Sequence, residues 1–410
     1  MKHLTGLILS SLLLSGSAAF AQDRKDKANF ISYPNEYYQQ ILKADEAFKN
    51  KPAPETHQVF KMDVSGIDAP KSITEFKTCQ AGKPVSQGET GTCWCFSTTS
   101  FFESEIARIS KKQIRLSEIY TVYWQYVEKA KAFVDSRGKT NFDDGSETNA
   151  VAGMMKLYGI VPQEAYTGMK PGQPYHDHLK MVEEMKAYLN GIKALNNWNT
   201  NEVVSTIKDI MNHYLGEPPT SITVDGKTMT PMQYLTDVTK LVPDDYVNFM
   251  SLMEKPYFTK AEYTVPDNWW HSADFNNVPL DDFMNLIKSA IKNGYSIAIG
   301  GDVSESGMNP KTGIAMIPTY DIPSKYIDEN ARELRFLNGS TTDDHAMHLV
   351  GYEEKTNGTW FLIKDSGSGG QNNQYAPGYW FMHEDFIKLK MMSFTLHKDA
   401  AKDLLAKMKK

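Results

Sequence analysis

The stretch Gln87-Gly88-Glu89-Thr90-Gly91-Thr92-Cys93-Trp94-Cys95-Phe96 constrains this chain more than any other. Its first half is small and polar, with two glycines that let a backbone approach a ligand closely. The pattern then turns amphipathic, with Trp94, Phe101, Phe102, Ile106 and Ile109 at helical spacing. This predicts a loop feeding a helix whose first turn carries Cys93. The unpaired N–H groups and positive dipole end of a helix start favour a thiolate over a thiol. Gln87, upstream on the same loop, can aim its amide N–H, with the backbone N–H of Cys93, at the oxygen of an attacked carbonyl, forming an oxyanion hole. A lone helix-start cysteine is more often a small buried hydrophobe, so the reading requires a base elsewhere in the chain.

Such a base must hold a thiolate as an ion pair and later protonate a leaving amine. Asp344-His345-Ala346-Met347-His348-Leu349-Val350-Gly351-Tyr352 puts His345 at the start of a predicted strand, with His348 reading as a structural histidine. The Gln, Cys-Trp and Phe-Ser spacing, and Asp-His-Ala followed by Val-Gly-Tyr, resemble the nucleophile and general-base segments of papain-like cysteine peptidases. In that family the third member follows on the next strand as Asn-Ser-Trp-Gly. Here Asp365-Ser366-Gly367-Ser368 stands in that place, after Phe361 to Lys364. The resemblance therefore gives Asp365 the role of orienting the imidazole and puts Gly367 where the family has tryptophan. A carboxylate should raise the His345 pKa and favour the imidazolium. Loss of the tryptophan is expected to strip the apolar cover from that hydrogen bond. A catalytically weak relative that binds peptides without turning them over stays open.

Leu116-Ser117-Glu118 with Tyr123-Trp124, Tyr158-Gly159-Ile160-Val161-Pro162, Leu215-Gly216-Glu217-Pro218-Pro219, Thr230-Pro231 and Gly301-Asp302-Val303 resemble, in order, the bleomycin hydrolase and aminopeptidase C branch. The resemblance implies a cysteine aminopeptidase acting on peptide substrates without metal or organic cofactor. Members are often homo-hexamers, with a C-terminal arm that blocks the cleft. Only a short basic helix, 399–410, follows the last predicted strand, so an open-cleft endopeptidase is the second expectation. By position, Gly145 and Ser146 match the family's paired glycines that bind substrate backbone, and Trp94 is grouped with the substrate-binding residues. Asp343 and Asp344 border the pocket on the acyl side of the scissile bond, where carboxylates suit a free amino group or a basic side chain. Their alternative reading is solvated loop charge.

Composition bounds the rest. With 410 residues, 41% hydrophobic and 23% charged, the chain has room for two or three subdomains, and its net charge of −6 offers nucleic acid no basic surface. Lys2 and His3, an apolar run at Leu7 to Leu14, and Ala19-Phe20-Ala21 read as a signal peptide, 1–21, which predicts export to a periplasm or the exterior. No other stretch is long enough for a membrane anchor. Three cysteines are too few for a disulfide scaffold, and a Cys79–Cys95 pair stays open beside two free thiols. His176 and His178 lack further ligands at metal-binding spacing and read as a solvated loop. The expected fold is α+β with two papain-like lobes. A lead-in or propeptide-like segment (22–75) precedes a helical lobe with the nucleophile (76–165). A mostly helical insertion (166–290) and a β lobe of antiparallel strands (291–398) follow.

Overall fold

The residues from Cys93 to Ser110 form one helix. In the computed structural model, which describes residues 26–49 and 58–408, this helix lies against the strand His345–Lys355. The leader expected at 1–21 falls outside the described residues. Trp94 through Ala107 are buried without a break, so the helix is a central rod rather than a surface element. Its buried acids are answered: Glu103 accepts from the Leu116 N–H and pairs with Arg115, and Glu105 pairs with Arg108.

Four helices complete this lobe. Glu118–Asp135 starts at Ser117, whose hydroxyl accepts from the Tyr120 N–H, as the Leu-Ser-Glu signal predicts. Asn149–Tyr158 begins later than its apolar pattern suggests, leaving Glu147 and Thr148 in the preceding loop. Leu179–Leu195 and Thr200–Leu215 follow. These helices share one apolar core built on Phe101, Phe102, Tyr123, Tyr126, Met185 and Ile207.

The β lobe is a single eleven-stranded sheet. At its centre His345–Lys355 pairs with Gly358–Lys364 on one side and Ile297–Gly301 on the other, both antiparallel. Tyr379–His383 continues beyond Gly358–Lys364, and Met391–His397 beyond Ile297–Gly301. Successive residues of the central strand divide between two cores. Ala346 faces the helical lobe, while Met347 and Leu349 join the opposite cluster with Phe283, Ile287, Phe386 and Phe394.

Several expectations are corrected here. The stretch read as a mostly helical insertion supplies three strands to the main sheet, Tyr246–Met250, Thr259–Ala261 and Phe275–Asn277. The sheet is not wholly antiparallel, because Tyr246–Met250 runs parallel to Phe275–Asn277 and Ile314–Ala315 parallel to Tyr379–His383. The hairpin joining His345–Lys355 to Gly358–Lys364 turns at Thr356 and Asn357. The basic C-terminal segment forms a short 3-10 turn and one α turn, Lys402–Leu405, rather than a longer helix. It packs beside Leu280–Lys292, with Lys407 paired to Asp282. Within the lead-in, Glu36–Lys49 forms a helix, and its start is tied to the loop after Asp365 through Asn35 to Ser368 and the Tyr37 N–H to Asn372.

Where helix and sheet meet, Ser100 Oγ lies 2.8 Å from His348 Nδ1 and accepts from Lys364 Nζ at 2.7 Å. Burial lowers Lys364 to about 8 and pushes His348 well below the usual imidazole range. Both groups therefore depend on the one hydroxyl. Ser100→Ala should lower the unfolding free energy by about 1–3 kcal/mol, because it leaves buried polar groups without a partner. Urea unfolding should show a lower midpoint at unchanged slope, and an unchanged midpoint would rule the contact out as a stabilising one.

Candidate active site

Cys93 opens its helix as expected. The Thr92 hydroxyl does not cap the helix but pairs with Thr90 at 2.6 Å. The positive helix end therefore meets the thiol without a side-chain oxygen in between. From the sheet, the His345 ring faces the Cys93 sulfur closely enough for that sulfur to favour the imidazolium. Its Nε2 lies 2.7 Å from Asp365 Oδ1 on the neighbouring strand's extension. Burial works against the imidazolium, but the Asp365 carboxylate and the Cys93 sulfur together hold His345 well above the usual range. Asp365 is displaced oppositely: burial opposes its charge, yet His345 and two N–H donors keep it below the ordinary carboxylate value.

Those donors revise the expectation of an uncovered pair. Gly367 N–H donates to Asp365 Oδ1 at 2.8 Å, and Trp380 Nε1 donates to Oδ2 at 2.8 Å. Trp380, 3% exposed, comes from the strand Tyr379–His383 and lies over Gly369 and Gly370. A tryptophan thus covers the carboxylate from a different strand. Gly367 itself is crowded, since a Cβ there would sit 3.2 Å from the His345 ring and 3.3 Å from Asp365 Oδ1. Sequence reasoning missed Trp380 because its indole reaches Asp365 through strand pairing rather than along a motif.

Gln87 is held from two sides. Its Oε1 accepts from Ser366 Oγ at 2.8 Å, and its Nε2 donates to the Thr90 carbonyl at 2.7 Å, which leaves the second amide hydrogen. Its loop is anchored beneath. Gly88, at φ +67, passes so close to His176 that a Cβ would lie 2.3 Å from that carbonyl oxygen. His176 and His178 are not a solvated loop, since His178 is buried against Tyr126 and His176 packs on Phe96. Burial lowers His176 to about 3.

The expected substrate-binding residues separate. Trp94, 1% exposed, donates its indole N–H to the Asp144 carbonyl, so it supports the 143–147 loop from below rather than contacting substrate. Ser146 turns its hydroxyl into the helical lobe, where Gln125 donates to it. Gly145 has no room for a side chain, because a Cβ would meet the Asp267 carboxylate at 2.2 Å. Asp344 is exposed but occupied, accepting from the Val303 N–H and Ser304 Oγ, so it braces a loop. Asp343 is half-buried, and burial together with the neighbouring acids raises its carboxyl to about 7. All three cysteines are free, and Cys95 Sγ donates to the Glu118 carbonyl. No helix among the described residues is long and apolar enough to cross a membrane, and none of their His, Cys, Asp and Glu side chains form a metal-holding group.

The His345–Asp365 pair sets a pH window. Its contribution to stability is full between the ordinary carboxylate value near 4 and the ordinary imidazole value near 6.5. The contribution fades as pH rises through the elevated His345 value or falls through the depressed Asp365 value. Trp380→Phe keeps a ring but removes one donor, so Asp365 should titrate higher and His345 lower, with a larger drop in Asp365→Asn. NMR titration of the His345 ring reads this directly, and a ring that titrates identically in Trp380→Phe would show that the indole N–H does not tune the pair.

The comparisons with known proteins bear on the family and the fold. The model of the Peptidase C1-like family matches residues 55–410. Aminopeptidase C of Lactobacillus delbrueckii subsp. lactis is 24% identical over 77% of this chain and 80% of its own length. Bleomycin hydrolase of Gallus gallus is 21% identical over 67% of this chain and 71% of its own. The crystal structure of PepW from Lactobacillus rhamnosis superposes with a TM-score of 0.64 at 19% identity, covering 91% of this chain and 95% of that one, which is a likeness of fold. The chain therefore belongs to the Peptidase C1-like family, the papain-like group that includes aminopeptidase C and bleomycin hydrolase.

Proposed function

We propose that this protein hydrolyses peptide bonds with Cys93 as nucleophile, His345 as acid and base, Asp365 as orienter and Gln87 in the oxyanion hole. The observation that carries the proposal is the convergence of a helix-start thiol, a strand-start imidazole and a buried carboxylate from three separate elements, with His345 Nε2 2.7 Å from Asp365 Oδ1 and its ring under the influence of the Cys93 sulfur. The Cys93 thiolate adds to the scissile carbonyl carbon, and the carbonyl electrons move onto oxygen. The Cys93 backbone N–H and the remaining Gln87 amide hydrogen stabilise that oxyanion. The imidazolium then gives its proton to the departing amine as the C–N bond breaks, leaving a thioester on Cys93. Water adds next, with neutral His345 taking its proton. Collapse expels the thiolate and releases the carboxylic acid, and the imidazole keeps its proton for the next turn. Asp365 stays ionised throughout and holds the ring through Nε2.

Aminopeptidase action follows the names of the similar proteins, and export follows the leader expected at 1–21. The test is hydrolysis of paired fluorogenic peptides, one with a free N-terminus and one N-acylated, by the protein and by Cys93→Ala. Cleavage confined to the free peptide and abolished in the variant is the expected result. Cleavage of the acylated peptide would replace aminopeptidase by endopeptidase action, and the absence of Cys93-dependent turnover under reducing conditions would overturn the catalytic reading.

A further inference from the structure

The segment His176-Asp177-His178 has no part in the proposed chemistry, yet it lines a recess of about 390 Å³. Lys170, Lys180 in the first turn of Leu179–Leu195, and Tyr214 near the end of Thr200–Leu215 line it too. The segment is held in place by Glu89, whose N–H donates to the His176 carbonyl at 2.8 Å and whose carbonyl accepts from the His178 N–H at 3.3 Å.

The lining carries hydrogen-bonding capacity that the protein itself does not use. His178 is 1% exposed, and neither of its ring nitrogens has a hydrogen-bond partner among the described residues. Asp144 Oδ1 lies 3.8 Å from His178 Nδ1, beyond hydrogen-bond distance. His176 Nδ1 is also unpartnered, and burial lowers His176 to about 3, so its ring is neutral and carries one N–H. His178 is moreover the residue that precedes a 17-residue helix, and its side chain makes no capping bond. The first turn of that helix therefore brings its N–H groups and the positive end of its dipole to the recess.

Charge points the same way. Among the described residues neither Lys170 nor Lys180 is ion-paired, and Lys170 Nζ instead lies 5.1 Å from the centre of the Tyr214 ring. The acid in the lining, Asp177, directs Oδ1 to the Leu179 N–H at 2.9 Å. No group of His, Cys, Asp and Glu among the described residues is arranged to hold a metal, so these imidazoles serve as hydrogen-bonding groups.

We propose that this recess binds a phosphate-type oxyanion, either the free ion or the phosphoryl end of a small phosphomonoester. Lys170 and Lys180 supply two positive charges, and the helix start, His176 and His178 supply N–H donors. Donors drawn from several elements suit a tetrahedral dianion better than a planar carboxylate with two oxygens and one charge. The recess is larger than a phosphate ion, so an ester group fits beside it. The site uses none of the residues proposed for catalysis, and the inference does not depend on the peptidase reading.

The test is calorimetric titration of the full chain with inorganic phosphate, phenyl phosphate and acetate at constant ionic strength. Saturable binding of at least one phosphate with Kd below about 1 mM, at least about tenfold tighter than acetate, is the expected result. Tighter binding of inorganic phosphate identifies the free ion as the ligand, and tighter binding of phenyl phosphate identifies an ester. The double variant Lys170→Ala, Lys180→Ala, which leaves the core untouched, should weaken that binding by at least about tenfold. In the unaltered protein the His178 ring signals in the NMR spectrum should move along the same binding curve. No saturation by either phosphate below about 10 mM, or acetate bound as tightly, would overturn the site. So would an affinity unmoved in the double variant, or a His178 ring that does not respond.

Discussion

The docking of one helix along one strand governs this structure. Ser100 meets His348, and Cys93 meets His345, on the same pair of elements. From Cys93 to Ser100 an α-helix advances about 10.5 Å. From His345 to His348 a strand advances about 10 Å. The two spacings match, so the buried contact deep between the lobes also sets the register that brings thiol and imidazole together at the cleft. Lys364 reinforces that contact from the next strand, whose extension carries Asp365. The site is thus the exposed end of a polar seam whose other end lies in the core.

The third group shows how a fold accommodates a changed motif. A carboxylate at 365 brings a charge into a buried place, which is tolerable only if the charge is paired and hydrogen-bonded. The chain supplies an imidazolium, a backbone N–H and an indole N–H to this one group. The indole comes from strand pairing, since Tyr379–His383 lies directly beside Gly358–Lys364. Where the family motif places a tryptophan, Gly367 lies tight against the His345–Asp365 pair. The cover and the glycine are complementary: one removes bulk from above the imidazole, and the other restores shielding on the far side of the carboxylate.

The same loops that build the site also shape its surroundings. Ser366 fastens Gln87, linking the Gln87 loop to the strand extension that carries Asp365. Trp94 and Gly91 both reach Asp144, so the nucleophile loop and the 143–147 loop are held as one unit. That unit ends in Glu147, whose carboxyl burial pushes well above the usual carboxylate range.

By itself, the sequence determined the elements whose signals are local. The apolar periodicity after Cys93, the cap at Ser117 and the strand-start His345 were legible because short-range sterics and burial patterns produce them. The three residues proposed for catalysis could be named from motif order alone. The structure alone decided what depends on distant partners. Phe275–Asn277 becomes a strand although asparagine disfavours that state, because Asn276 and Asn277 satisfy the backbone of Asn248, Leu252 and Lys255 across the sheet. Trp380 reaches Asp365 through an inter-strand register, and Asp343 is half-buried while its neighbour Asp344 braces a loop. No local pattern carries that information, because a side chain's role there is set by what the completed fold brings against it.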